Sequence, residues 1–357
     1  MKFKTQNSKF KTTTQNLKIF RIIDVNTNRA VEGLRVMEEI VRFVLEDKKS
    51  TFELKEIRGK LRKIINELIG KGVHFQQRKA LEDIGRELYP SKEAKRETIL
   101  DIFVANAKRV QEALRVLEEF SKLIKPKAGK KIKEIRFKVY DLEQKIFYVL
   151  NRRIKLDFDL YVITDPMRSH IEVARKSMAG GVRAIQLRDK TASKKQFAKW
   201  AKQIRRLTKK SKATFIVNDY LDIARQVDAD GVHLGQDDLR KTSIARTRKR
   251  LGEDKIIGIS THSLLQALKA VRQGADYISV GPVFRTPSKP GIKPVGTGLL
   301  RRVRKKVKVP IVAIGGINQS NIQKIKNAGI QRVAVIRAVV SARNVKAAAA
   351  RLRKILF

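Results

Sequence analysis

Along the C-terminal half of the chain, short apolar runs of strand character keep ending the same way, in a burst of polar residues or glycine. The pattern is plainest at Ala184-Ile185-Gln186-Leu187-Arg188-Asp189-Lys190. It recurs at Tyr161 to Asp165, Thr214 to Asp219, Gly231 to Gln236, Ile257 to His262, Tyr277 to Gly281 and Ile311 to Gly316. A strand that is apolar along its length and polar at its carboxyl end is what a (β/α)8 barrel uses to build an active site. The spacing predicts strands over 160–164, 184–188, 214–218, 231–234, 256–260, 276–280, 310–315 and 332–338, with amphipathic helices between them. A doubly wound open sheet is the alternative, but the glycine-rich first turn expected of one is missing.

The 357 residues are enough for two domains, each with its own core. Residues 1–17 read as a basic polar tail, 18–153 as an all-α domain, 154–158 as a linker and 159–357 as the barrel. Residues 70–95, with Gly70, Gly72, Gly85 and Pro90, read as an irregular connection, and the helices beyond it as broken near Pro126 and Gly129. No apolar run is long enough to span a membrane and no secretory h-region precedes the first helix, so the reading is cytoplasmic. Zero Cys excludes disulfides and thiolate chemistry, and the 4 His are scattered.

The helical domain repeats itself. Asn28-Arg-Ala-Val-Glu-Gly-Leu-Arg-Val-Met-Glu-Glu39 returns as Lys108-Arg-Val-Gln-Glu-Ala-Leu-Arg-Val-Leu-Glu-Glu119, with Asn26 matched by Asn106. On a helix, Arg29, Glu32, Arg35 and Glu39 share one sector about 120° wide, as do Arg109, Glu112, Arg115 and Glu119. Such a stripe is either a set of surface ion pairs or, duplicated, the lining of an anion site.

Residues 159–357 hold thirteen carboxylates, none beyond Asp276, and five lie at or just past strand ends: Asp165, Asp189, Asp219, Asp237 and Asp238. Asp219 and Asp238 suit Mg²⁺, which takes one or two carboxylates with phosphate and water. Asp219 and Asp222 could equally cap the next helix. Arg188 and Lys190 alternate, so they point the same way if the strand continues that far. Two cations beside two acids suit a metal-bound diphosphate, or else an ion-pair ring. The loop Gly281 to Gly291 carries Thr286, Ser288 and Lys289 and reads as a lid with a phosphate-directed lysine, or as an ordinary Pro/Gly loop. Gly315-Gly316 and the turn Ile336-Arg337 stand where barrels cradle phosphate. The net charge of +46 attracts polyanions generally, which keeps a nucleic-acid-binding protein on a barrel scaffold as a rival reading. Lys and Arg spread along helices favour solvated outer faces instead.

At these residues the chain resembles thiamine-phosphate synthase. The likeness runs through Tyr161 to Asp165, Gln186 to Lys190, Val217-Asn-Asp219, Asp230 to Gln236, Gly274-Ala-Asp-Tyr277, Gly281-Pro-Val-Phe284 and Ile314 to Ile317. The resemblance implies joining a hydroxymethylpyrimidine diphosphate to a thiazole phosphate, releasing pyrophosphate with Mg²⁺. It assigns Gln186, Arg188, Lys190, Asn218, Ser260 and Lys289 to the pyrimidine diphosphate. It assigns Asp219 and Asp238 to the metal, and Thr286, Ser288, Gly316 and the Ile336-Arg337 turn to the thiazole phosphate. Among these residues, Arg188, Lys190 and Lys289 are the catalytic candidates. Arg337 stands where many relatives carry Ser. The segment Asp24 to Glu39 resembles the helical domain fused ahead of some of these synthases, proposed to be a hydroxymethylpyrimidine phosphate kinase. A regulatory domain is the alternative, since no P-loop or protein-kinase motif set is present. The expected ligands are phosphorylated small molecules, and a homo-oligomer stays open.

Overall fold

The computed structural model describes residues 14–70, 96–288 and 291–356. The chain forms two compact units, Met1–Leu150 and Asn151–Phe357. The connection expected over 70–95 lies, beyond Gly70, outside the described residues.

The first unit is built of helices α1 (Thr14–Glu39), α2 (Lys48–Ile69), α3 (Ile99–Ile124) and α4 (Pro126–Lys155), with a π-helical turn at Ile40–Leu45 after α1. Its apolar core draws on all four helices, through residues such as Leu34, Met37, Leu61, Leu114, Leu117 and Val139. Helix α1 begins inside the stretch read as a tail. Leu17 lies one turn before Phe20, so the apolar stripe has already started there. The expected break near Gly129 is a single residue, Lys125, between α3 and α4. Gly129 lies within α4 and is a packing residue, because a Cβ there would sit 3.0 Å from the Glu118 carbonyl. Gly33 plays the same part between α1 and α3, where a Cβ would lie 2.6 Å from the Val110 side chain.

The second unit is a closed barrel of eight parallel strands in sequence order, β1 to β8. The strands are β1 (Leu160–Ile163), β2 (Ala184–Leu187), β3 (Thr214–Asn218), β4 (Gly231–Leu234), β5 (Ile256–Thr261), β6 (Tyr277–Val280), β7 (Ile311–Ile314) and β8 (Arg332–Val335). The expected (β/α)8 barrel is therefore present. The eighth strand stops short of 338 because residues Arg337–Val340 turn into a short helix. Helices surround the sheet, among them α5 (His170–Ala179), α6 (Lys194–Ser211), α7 (Leu221–Gln226) and α8 (Asp238–Lys241).

Period-two alternation divides each strand. Leu160, Val162, Ile185, Leu187, Phe215 and Val217 join the core shared with the surrounding helices. Tyr161, Ile163, Ala184, Ile216, Tyr277, Val312 and Ala334 form a second cluster in which Leu156 and Phe158 also lie. Residues 154–158 are thus not a free linker. Residues 154–155 finish α4, and the buried Phe158 packs 5.3 Å from the Tyr161 ring. Gly258 pairs in register with Tyr277, and a Cβ on Gly258 would occupy the space of the tyrosine ring.

Candidate active site

The carboxyl ends of the strands enclose a cavity of about 810 Å³, within the range of small-molecule sites. Lining it are Gln186, Arg188, Lys190, Asn218, Asp219, Asp238, Ser260, Thr286, Ser288, Gly316, Ile336 and Arg337. They include every barrel residue that the resemblance assigns to substrate or metal, apart from Lys289, which lies outside the described residues. Gly315 and Gly316 adopt left-handed φ values of 98° and 67°, and the Asn321 side chain donates to the Gly316 carbonyl at 2.9 Å.

Arg188 and Lys190 reach the cavity by a different route from the one expected. Strand β2 ends at Leu187, so the two cations sit in a turn, not on alternate strand positions. The intervening Asp189 is buried and points to the side. Its Oδ1 accepts from the backbone N–H groups of Thr191 at 2.8 Å and Ala192 at 2.9 Å, and its Oδ2 meets His170 Nε2 at 3.0 Å. Burial would raise this carboxyl, yet the hydrogen bonds prevail and hold it at about 2.

The five strand-end acids therefore separate by environment. Asp165 accepts from the Met167 N–H at 3.2 Å, and neither it nor Asp189 lines the cavity. Asp219, Asp237 and Asp238 do, with Asp237 exposed and 3.7 Å from Arg240. Asp219 has a φ of 62°, a left-handed conformation uncommon outside glycine. Neither Asp219 nor Asp222 caps α7, since Tyr220 holds the N-cap position without a side-chain bond. Burial and a hydrogen bond with Asp238 push the Asp219 carboxyl up to about 6, against the opposing pull of Lys190 and Arg188. Asp238 in turn accepts from the Gly235 N–H at 2.8 Å.

From the cavity lining into the barrel interior runs a polar chain that the sequence pattern did not single out. Gln186 donates to the Tyr161 hydroxyl at 2.7 Å, and that hydroxyl lies 3.2 Å from the Tyr277 hydroxyl. Tyr277 meets His233 Nδ1 at 2.8 Å, and His233 Nε2 meets Ser260 Oγ at 2.9 Å. Two expected substrate contacts, Gln186 and Ser260, are thereby held by one network. Period-two alternation was the available signal, because it turns Tyr161, His233 and Tyr277 inward.

In the helical unit the two stripes do not close on each other. Arg29, Glu32, Arg35, Arg109, Glu112, Arg115 and Glu119 are exposed and Glu39 is half-buried, because α1 and α3 meet through their apolar faces. Arg35 pairs with Glu38 at 2.8 Å and with Glu39, and Arg115 pairs with Glu118 at 3.2 Å and Glu119 at 3.1 Å. Within the two repeated stretches the buried acids are Glu38 and Glu118. Each reaches the following helix, Glu38 to Arg58 at 2.9 Å and Glu118 to Arg136 at 3.0 Å. The duplication thus spans a whole helical hairpin: Lys55-Glu-Ile-Arg58 of α2 recurs as Lys133-Glu-Ile-Arg136 of α4. Glu118 and Arg136 are 18 residues apart against 20 for Glu38 and Arg58, because the connection between the helices is shorter in the second hairpin, and this hid that half of the repeat.

A parallel eight-stranded barrel with cations and paired carboxylates at its mouth is a (β/α)8-barrel enzyme built for phosphorylated ligands. Comparison with known proteins narrows the class. A family model described as thiamine monophosphate synthase matches residues 160–339, and one described as the ThiD2 family matches residues 21–145. The thiamine-phosphate synthase of Prochlorococcus marinus subsp. pastoris is 40% identical over 339 residues, covering 93% of each chain. That of Synechocystis sp. is 40% identical over 335 residues, 94% of this chain and 95% of its own. The solved thiamine phosphate pyrophosphorylase of Pyrococcus furiosus is 39% identical with a TM-score of 0.53, covering 57% of this chain and 97% of its own. The chain belongs to the thiamine-phosphate synthase family, with a ThiD2-type domain ahead of the barrel.

Proposed function

We propose that the barrel joins hydroxymethylpyrimidine diphosphate to a thiazole phosphate, giving thiamine phosphate and pyrophosphate with Mg²⁺ as cofactor. The observation that carries the reading is the juxtaposition of Asp219 and Asp238 beside Arg188 and Lys190 in one cavity. Among the described residues no group of three or more His, Asp or Glu could hold a metal. Two carboxylates nevertheless fit Mg²⁺, which keeps positions for phosphate oxygens and water. Bound there, the ion would supply charge neutralisation to the diphosphate.

The remaining work falls to the chain's own residues. Arg188 offers a planar fork and Lys190 a point charge to the oxygens that gain charge as the C–O bond to pyrophosphate breaks. Gln186, Asn218 and Ser260 orient the pyrimidine. The cation left on its methylene carbon is captured by the thiazole nitrogen, so no general base is required. Thr286, Ser288, the Gly315-Gly316 turn, Ile336 and Arg337, which line the same cavity, receive the thiazole phosphate, with Arg337 supplying a guanidinium fork. The test is product formation from the two precursors: thiamine phosphate and pyrophosphate should appear together and depend on both substrates.

For the helical unit, the ThiD2 match over residues 21–145 supports phosphorylation of hydroxymethylpyrimidine phosphate, which would supply the barrel's diphosphate. The full chain given that monophosphate, a nucleoside triphosphate and thiazole phosphate should then make thiamine phosphate. Failure with every common donor would leave the unit a regulatory role.

A further inference from the structure

Asp189 stands between the two cations of the 188–190 turn yet faces away from the cavity, and its hydrogen bonds form a closed circuit. The Arg188 backbone N–H donates to Thr164 Oγ1 at 3.2 Å. Thr164 Oγ1 lies 2.9 Å from His170 Nδ1, and His170 Nε2 lies 3.0 Å from Asp189 Oδ2. Asp189 is covalently next to Arg188, so the ring returns to its start. An ionised carboxylate only accepts, which makes His170 Nε2–H the donor to Asp189; Nδ1 is then free to accept the Thr164 hydroxyl proton. Every group in the ring has a partner, and Thr164, His170 and Asp189 are all buried. The other Asp189 oxygen takes Thr191 and Ala192, so the contacts concentrate on the turn itself.

We propose that Thr164, His170 and Asp189 are positioning residues for diphosphate binding: their ring fixes the turn so that Arg188 and Lys190 both face the cavity. The inference rests on the reading that these two cations hold the pyrimidine diphosphate. A polar ring of this kind is a poor device for stability alone, because burying charge costs most of what its pairing returns. Its effect is geometric. Outer groups that orient metal-binding side chains typically contribute about 10–100-fold to affinity or activity, and this ring would orient two phosphate-binding cations in the same way.

The molecule carries its own reporter, since the single Trp of the chain, Trp200 on α6, packs 4.4 Å from the His170 ring. The experiment compares full-length wild type, Asp189→Asn, Thr164→Val and Arg188→Met in Mg²⁺. The KM of each precursor is measured, and Trp200 emission is titrated with inorganic pyrophosphate. Asp189→Asn and Thr164→Val should each raise the KM for the pyrimidine diphosphate ~10–100-fold and leave that for thiazole phosphate unchanged. The pyrophosphate midpoint should move by a similar factor. If both variants lower only the melting temperature, or raise both KM values equally, the ring is structural and the proposal is overturned. Should Asp189→Asn not fold, Thr164→Val and the wild-type titration decide: no change in KM and no Trp200 response overturns it. An unchanged KM in Arg188→Met would sink the diphosphate reading itself. A raised KM there, with none in the ring variants, would sink only the positioning role.

Discussion

Asp219 and Asp238 come together beyond the ends of neighbouring strands β3 and β4, close enough for Asp238 to raise the Asp219 carboxyl. Two carboxylates can do so only while a proton or a cation sits between them. In the folded chain the proton on Asp219 is held up to about 6, compared with an ordinary 3.8, by burial and by Asp238. Mg²⁺ is the cation that the proposed function would put in its place.

The pH dependence follows with a definite sign. A carboxyl whose folded pKa is raised contributes stability below its ordinary value of 3.8, and loses it as pH rises through about 6. Going from about pH 5 to about pH 7.5 without metal should therefore lower the melting temperature of wild type more than that of Asp219→Asn. Added Mg²⁺ should raise the wild-type value chiefly at the higher pH, where no proton has to be displaced. A metal effect equal at both pH values would speak against Asp219 as the titrating ligand.

The buried pairs of the helical unit should behave as structural members. Glu118 and Arg136 have side chains 3% and 11% exposed, so Arg136→Met leaves Glu118 only its exposed partners Arg115 and Lys122 and should cost about 2 kcal/mol in urea unfolding. Arg58→Met, at the equivalent position against Glu38, should cost a similar amount. The exposed Arg35→Met and Arg115→Met should each cost less than about 1 kcal/mol. Equal losses at all four positions would contradict the division between buried pair and surface stripe.

Gly258 tests the polar chain that runs inward from the cavity lining. Gly258→Ala should push the Tyr277 ring aside, break its bond to His233 and cost about 1–3 kcal/mol through overpacking. Synthase turnover should fall with it, because Ser260 loses an ordered neighbour. A variant with wild-type stability and rate would show that the chain has no bearing on the site.

How much of this was legible in the sequence depended on which force decides each feature. Strand positions were readable because barrel strands are apolar between polar ends, and burial alone fixes them. The direction of a side chain in a turn was not. Arg188, Asp189 and Lys190 look alike as a polar burst, but Asp189 is drawn aside by His170 and by the N–H groups of Thr191 and Ala192. Asp165 and Asp219 likewise follow equivalent strands, and only the company of Asp238 distinguishes the second. The Arg35 and Arg115 stripes were visible by periodicity, whereas Glu38 and Glu118 gained their role from helices that follow them in the chain. Leu156 and Phe158 read as linker because the alternating run Ile154-Lys-Leu-Asp-Phe158 is too short to mark an element by its period.

The central claim, that paired carboxylates hold the metal on which diphosphate departure depends, is tested most directly by pyrophosphate release. Full-length wild type, Asp219→Asn and Asp238→Asn would be given hydroxymethylpyrimidine diphosphate and thiazole phosphate, with Mg²⁺ or with chelator. The account predicts rapid release by wild type in Mg²⁺, and losses of ~100-fold or more in chelator and in both folded variants. Release by wild type at an undiminished rate in chelator, or by either variant at the wild-type rate in limiting Mg²⁺, would contradict it.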